Sequence, residues 1–143
     1  MTRTKILLAD DDPDVLDYYR LCLAEHFDLV LARDGIEALK MFEAERPAVV
    51  VTDLNMPGVN GTVLTDKIRA HPTLATTPVI IITGTTRNSD LPPGFWKMGT
   101  QADAFYEKPI KPDALVQAIR AQLLRRAQGR ELPPGKGSYD VKE

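Results

Sequence analysis

Cysteine is nearly missing from this sequence. Cys22 is the single one in 143 residues, so no internal disulfide can form. It falls in a helical pattern, where packing is its expected role, and a reduced cytosolic setting fits. Excess charge is missing as well: 18 Lys and Arg stand against 20 Asp and Glu, a net of −2. Nucleic-acid binding usually needs a basic field, and this segment has none. No apolar run approaches the ~20 residues of a membrane-spanning helix. The opening Met1-Thr2-Arg3-Thr4-Lys5 leads into a strand without the apolar core of a signal peptide. No internal repeat is evident. The length suits one domain with a real core, and the expectation is a soluble, cytoplasmic protein with no membrane and no direct nucleic-acid partner.

What is present is organised around Val49-Val50-Val51-Thr52-Asp53-Leu54-Asn55-Met56-Pro57-Gly58. A β-branched apolar run stops at a carboxylate, and Pro57-Gly58 ends the strand. Similar short runs recur at Ile6–Ala9, Leu29–Ala32, Pro78–Thr83 and, more weakly, Ala104–Glu107. Continuous rather than alternating apolar runs suit strands covered on both faces.

Helical patterns fill the gaps. Asp12 before Pro13 opens a helix through Val15, Leu16, Tyr19 and Leu23, expected to reach about His26. Asp34-Gly35-Ile36-Glu37 has capping-box spacing, with Leu39 and Phe42 inward and Pro47 ending the helix. Asn60 is a plausible cap for a helix using Leu64 and Ile68 that stops before Pro72. Pro92-Pro93-Gly94 would break any helix between Arg87 and Gln101, so a short or displaced one is expected around Phe95 to Met98. Pro112 opens the last helix, with Leu115, Ile119 and Leu123 on one face. Five strands alternating with five helices, the fourth short or irregular, argue an α/β fold with a parallel sheet. From Arg125 onward the composition changes to tail or linker chemistry, giving expected units 1–125 and 126–143.

Parallel strands end on one edge, which would gather Asp10, Asp11, Asp53, Thr83 and Lys108 into one region. Crowded carboxylates raise one another's pKa unless a cation joins them. A few hard oxygen ligands with room for water and phosphate suit Mg²⁺. A carboxylate beside that ion can attack phosphorus, while Lys108 and the Thr83 hydroxyl neutralise the phosphoryl oxygens. Each residue alone has a plainer reading: Asp12 a cap, Lys108 a surface lysine, Thr83 an ordinary strand residue. Their joint placement at the ends of different strands is what points to chemistry.

The set Leu8-Ala9-Asp10-Asp11-Asp12, Asp53-Leu54-Asn55-Met56-Pro57, Thr83-Gly84 and Lys108-Pro109 resembles the receiver domain of two-component response regulators, over about residues 4 to 125. The resemblance implies a flavodoxin-like, doubly wound sheet of strand order 2-1-3-4-5. It makes Asp53 the phosphoacceptor, Asp11 a direct Mg²⁺ ligand, Asp10 a second acid acting mainly through water, and the Asn55 backbone carbonyl a further ligand. Thr83 and Lys108 become the switch hydroxyl and the phosphate-pairing lysine, Phe105 the aromatic switch position, and Lys108-Pro109 a cis bond. It further implies a partner histidine kinase or histidine phosphotransfer protein, and a downstream target or output domain. The signalling face would comprise the fourth helix, fifth strand and last helix.

Departures from the pattern are Asn60 in place of an acid, Gln101 near a usual glycine, and the Pro92-Pro93-Gly94 break. Phe95, Trp96 and Met98 are either an exposed partner patch or core filler beneath a shortened helix, and Phe105 either a moving ring or plain core. Asn55 and Thr85 are expected to influence access of hydrolytic water. Two other classes are open to such an acid set. A phosphohydrolase with an Asp nucleophile needs a second acid two residues on, where Asn55 stands. A binding module working without phosphorylation is opposed by the intact acid set. The expectation is a signalling module, not a turnover enzyme.

Overall fold

A computed structural model describes residues 3–84 and 100–127. The five strands are β1 (Lys5–Ala9), β2 (Asp28–Ala32), β3 (Val49–Asp53), β4 (Val79–Thr83) and β5 (Ala104–Glu107). The helices among the described residues are α1 (Pro13–Leu23), α2 (Gly35–Glu45), α3 (Gly61–Arg69) and α4 (Pro112–Ala127). All strand pairs are parallel, in the order β2-β1-β3-β4-β5. The flavodoxin-like order implied by the resemblance is therefore the one observed. The helix expected around Phe95–Met98, the Pro92-Pro93-Gly94 break and Trp96 lie outside the described residues. The last helix runs two residues beyond position 125, to Ala127.

Side-chain alternation divides each central strand between two cores. Ile6, Leu8, Val49, Val51, Ile80 and Ile82 face α1 and α4 through Leu16, Tyr19, Leu23, Leu115 and Ile119. Leu7, Val50, Val79 and Ile81 face α2 and α3 through Ala38, Phe42, Leu64 and Ile68. The strands read as unbroken apolar runs because both faces are covered.

The helix starts follow the sequence. Asp12, Asp34 and Asn60 accept from the backbone N–H groups of Asp14, Glu37 and Val63. The Glu37 carboxylate reaches back to the Arg33 N–H at 2.7 Å, one residue before the cap. One end does not follow. α1 stops at Leu23 rather than near His26, and the chain leaves it through a tightened turn in which the His26 N–H bonds the Leu23 carbonyl three residues back. Phe27, just past that turn, is buried in the first core.

Opposite the functional edge, Arg69 fastens the segment before β4 to the segment before β5. Its guanidinium donates to the carbonyls of Ala75 (3.0 Å), Thr77 (2.7 Å) and Gln101 (3.3 Å), and to Asp103 Oδ2 at 2.7 Å. The two side chains are 17% and 18% exposed. Burial raises the Asp103 pKa, with Arg69 pulling against it. Arg69→Met is expected to cost about 3 kcal/mol in urea unfolding, since it leaves a buried carboxylate uncompensated. An acid whose folded pKa is raised contributes its stability at low pH and loses it as pH rises through the folded value. The deficit of the variant should therefore shrink on acidification, and a deficit independent of pH would contradict this account.

Candidate functional site

β1 is followed by a helix on one face of the sheet and β3 by a helix on the other, so a crevice opens between their carboxyl ends. Asp10 and Asp11 follow β1 immediately, and Asp53 is the last residue of β3. Asp53 pairs in register with Ile82, Ile82 with Tyr106, and Thr83 with Glu107. Thr83 and Lys108 thus sit one step further along successive strands, on the same edge.

The charges converge. Lys108 Nζ lies 2.9 Å from Asp10 Oδ2 and 3.4 Å from Asp53 Oδ1. Asp10 is 1% exposed and Asp53 7%, while Asp11 stands exposed at the rim. Both oxygens of Asp10 are engaged, Oδ2 by Lys108 and Oδ1 by the Asp12 N–H at 3.0 Å. One ammonium faces three carboxylates. Burial, and then the Asp10 charge, push the Asp53 pKa up to about 6 although Lys108 pulls it down. Burial opposes the Lys108 ammonium too, but its bonds and attraction to Asp10 and Asp53 prevail, and its pKa is raised.

The residues fit a divalent cation. Asp10, Asp11 and Asp53 each offer a carboxylate oxygen, all within 4.8 Å of one another. Oxygens around one Mg²⁺ at ~2.1 Å can stand up to ~4.2 Å apart, so small side-chain adjustments close the set. The all-oxygen donor chemistry is that of a hard ion.

The other expected members are placed as follows. Thr83 is fully buried at the end of β4, and its carbonyl accepts the Lys108 N–H at 3.0 Å. The Lys108 stem passes over Gly84, where a Cβ would meet Lys108 Cβ at 3.3 Å. The Lys108-Pro109 bond is cis. Asn55 is exposed on the loop after β3. Phe105 is 5% exposed and packs in the second core beside Val79, Ile81 and Ala102. Thr85 lies outside the described residues.

A family model described as the response regulator receiver domain matches residues 6–120. The chain belongs to that family. It is a receiver domain of two-component signalling. The DNA-binding response regulator MtrA of Mycolicibacterium smegmatis is 35% identical over 124 residues, covering 86% of this chain and 52% of that protein. An uncharacterized 14.6 kDa protein of Leptolyngbya boryana is 31% identical over 129 residues, 87% of this chain and 93% of its own. The signal receiver domain of a histidine kinase from Syntrophus aciditrophicus has a TM-score of 0.78 at 25% identity, over 91% of this chain and 97% of that one. A receiver domain protein of Methanospirillum hungatei gives 0.77 at 27% identity, over 90% and 100%. The chain spans about half the length of the curated relatives that head the comparison. No described helix of this receiver is long and apolar enough to cross a membrane.

Sequence reading overlooked one polar contact in the receiver's site. Thr52 Oγ1 is buried and donates to the Asp53 carbonyl at 2.9 Å. The available signal was a hydroxyl interrupting the valine run directly before the acid.

Proposed function

We propose that Asp53 is the phosphoacceptor of this receiver and that a partner histidine kinase, or a histidine phosphotransfer protein, supplies the phosphoryl group. An Asp53 carboxylate oxygen forms the new P–O bond while the P–N bond of phosphohistidine breaks, its electron pair leaving on the imidazole nitrogen. Asp10, Asp11, Asp53 and the Asn55 carbonyl would hold Mg²⁺, which supplies positive charge for the phosphoryl oxygens. Lys108, already between Asp10 and Asp53, would follow the negative charge onto the phosphoryl group. The Thr83 hydroxyl would donate to another of its oxygens. Water then attacks phosphorus, releasing phosphate and restoring the Asp53 carboxylate.

The single observation that carries this reading is the convergence of three carboxylates and Lys108 at the sheet's switch point. On this reading the domain is no turnover enzyme on an external substrate. Phosphorylation would favour one population of the surface formed by the segment between β4 and β5, by β5 and by α4, with Thr83 and Phe105 as the moving parts. That surface would engage a downstream protein or output domain, with no direct contact to nucleic acid or membrane. A cytoplasmic setting goes with a kinase partner and a lone thiol.

Incubation with acetyl phosphate and Mg²⁺, followed by intact mass, tests the assignment. A phosphate-sized gain is expected in the wild type, absent in Asp53→Asn and absent with chelator. A gain that survives in Asp53→Asn would place the acceptor elsewhere.

A further inference from the structure

We propose that Thr52 is a positioning residue for Asp53, its buried hydroxyl fixing the peptide plane that follows the acid. This rests on the phosphoacceptor reading above. The Asp53 carbonyl and the Leu54 N–H belong to one planar peptide unit, so holding one aims the other. Thr52 Oγ1 donates to that carbonyl at 2.9 Å. A hydroxyl has one proton, so Met56 Sδ at 3.9 Å competes for it, and the much shorter approach to the carbonyl oxygen is the stronger bond. From the far side of the same peptide, the Leu54 N–H reaches back to Asp53 Oδ1 at 3.0 Å. Lys108 Nζ approaches the same oxygen at 3.4 Å. Two donors on one oxygen leave the carboxylate a single orientation, which an in-line attack on phosphorus requires.

Packing alone does not ask for this hydroxyl. Thr52 shares the face of Val50, which packs in the second core, and Val49, Val50 and Val51 show what the strand otherwise uses. Valine has the same shape without the proton. The plainer role, a strand threonine that satisfies its own hydroxyl locally, predicts effects on stability and none on the site.

The test compares Thr52→Val, Thr52→Ala and Thr52→Ser with wild type in the intact chain. Mg²⁺ affinity is followed by calorimetry, the Leu54 amide by its NMR shift and hydrogen exchange, and phosphoryl uptake from acetyl phosphate by intact mass. For Val and Ala, a displaced, faster-exchanging Leu54 amide, weaker Mg²⁺ binding and an about 10-fold lower maximal uptake rate are expected. The donor concentration for half-maximal rate should be unchanged, and Ser should restore all three readouts. Uptake at the wild-type rate with an unmoved Leu54 amide in Thr52→Val would overturn the proposal. So would equal impairment of Ser and Val, or Val and Ala variants that fail to fold while Ser is normal, since the hydroxyl would then serve only stability. A wild type that takes up no phosphate would defeat the phosphoacceptor reading instead, and the amide and Mg²⁺ measurements would still decide the role of Thr52.

Discussion

Asp53→Asn is expected to make the metal-free protein more stable while removing its chemistry. Burial and the neighbouring Asp10 raise the Asp53 pKa to about 6, which means that the folded state resists the charge more than the unfolded chain does. A rise of that size from an ordinary carboxylate value is worth up to about 3 kcal/mol at neutral pH. An asparagine oxygen can still accept from Leu54 N–H and Lys108, so most of that relief should be realised. For a chain of this size, about 2 kcal/mol corresponds to a rise in Tm of roughly 6 °C.

The sign can be checked by pH. An acid with a raised folded pKa gives stability that is fully present below its unfolded value and lost as pH rises through the folded one. Metal-free wild type should therefore gain on Asp53→Asn between pH 7 and pH 4, closing the gap between them. Mg²⁺ should act oppositely, stabilising wild type by mass action and the variant far less. Scanning calorimetry across pH, with and without Mg²⁺, reads both. An Asp53→Asn midpoint equal to or below that of metal-free wild type at pH 7.5 would mean that the acids do not strain the pocket.

Gly61→Ala should be strongly destabilising. In an exposed helix this exchange gains about 1 kcal/mol, so helix propensity predicts stabilisation. Gly61, however, is buried at the first position of α3, against the loop that follows β3. A Cβ there would stand 2.5 Å from the Asp53 carbonyl oxygen and 3.1 Å from Leu54 Cα. Both are backbone atoms, and Gly61 N–H also holds the Leu54 carbonyl at 2.8 Å. Neither side can yield by rotating a side chain. Overpacking of this kind typically costs about 3 kcal/mol, which outweighs the propensity gain.

Because the obstructed atom belongs to Asp53, the loss should reach the site. Mg²⁺ affinity and phosphoryl uptake are expected to fall even under conditions where the variant is folded. Thr62→Ala, one residue along the same helix, serves as the control and should change little. Urea unfolding with a parallel Mg²⁺ titration separates the two effects. A Gly61→Ala protein as stable as wild type would show that α3 can retreat from the loop.

Much of this molecule was legible from local chemistry. The apolar runs at Ile6–Ala9, Val49–Asp53 and Val79–Thr83 are strands because unbroken β-branched sequence needs cover on both faces. Asp12, Asp34 and Asn60 cap helices because a short oxygen-bearing side chain can serve backbone N–H groups two or three residues on. The acids and Lys108 could be gathered in advance because parallel strands end on one edge.

Other features had no local signature. The burial of Phe27 just past the end of α1 depends on the completed first core. Arg69 and Asp103 are 34 residues apart, and neither marks the other in the sequence. Gly61 reads as an ordinary glycine until the Asp53 carbonyl is found against it.

By itself, then, the sequence determined the alternation of strands and helices, the helix starts, and the residue types able to handle a phosphoryl group with a hard cation. These follow from periodicity and capping, which act within a few residues. Tertiary structure alone decided that Lys108 meets Asp10 Oδ2 and Asp53 Oδ1, and that Gly61 stands against the Asp53 carbonyl. Those relations depend on ångström-scale distances between segments brought together only when the sheet assembles.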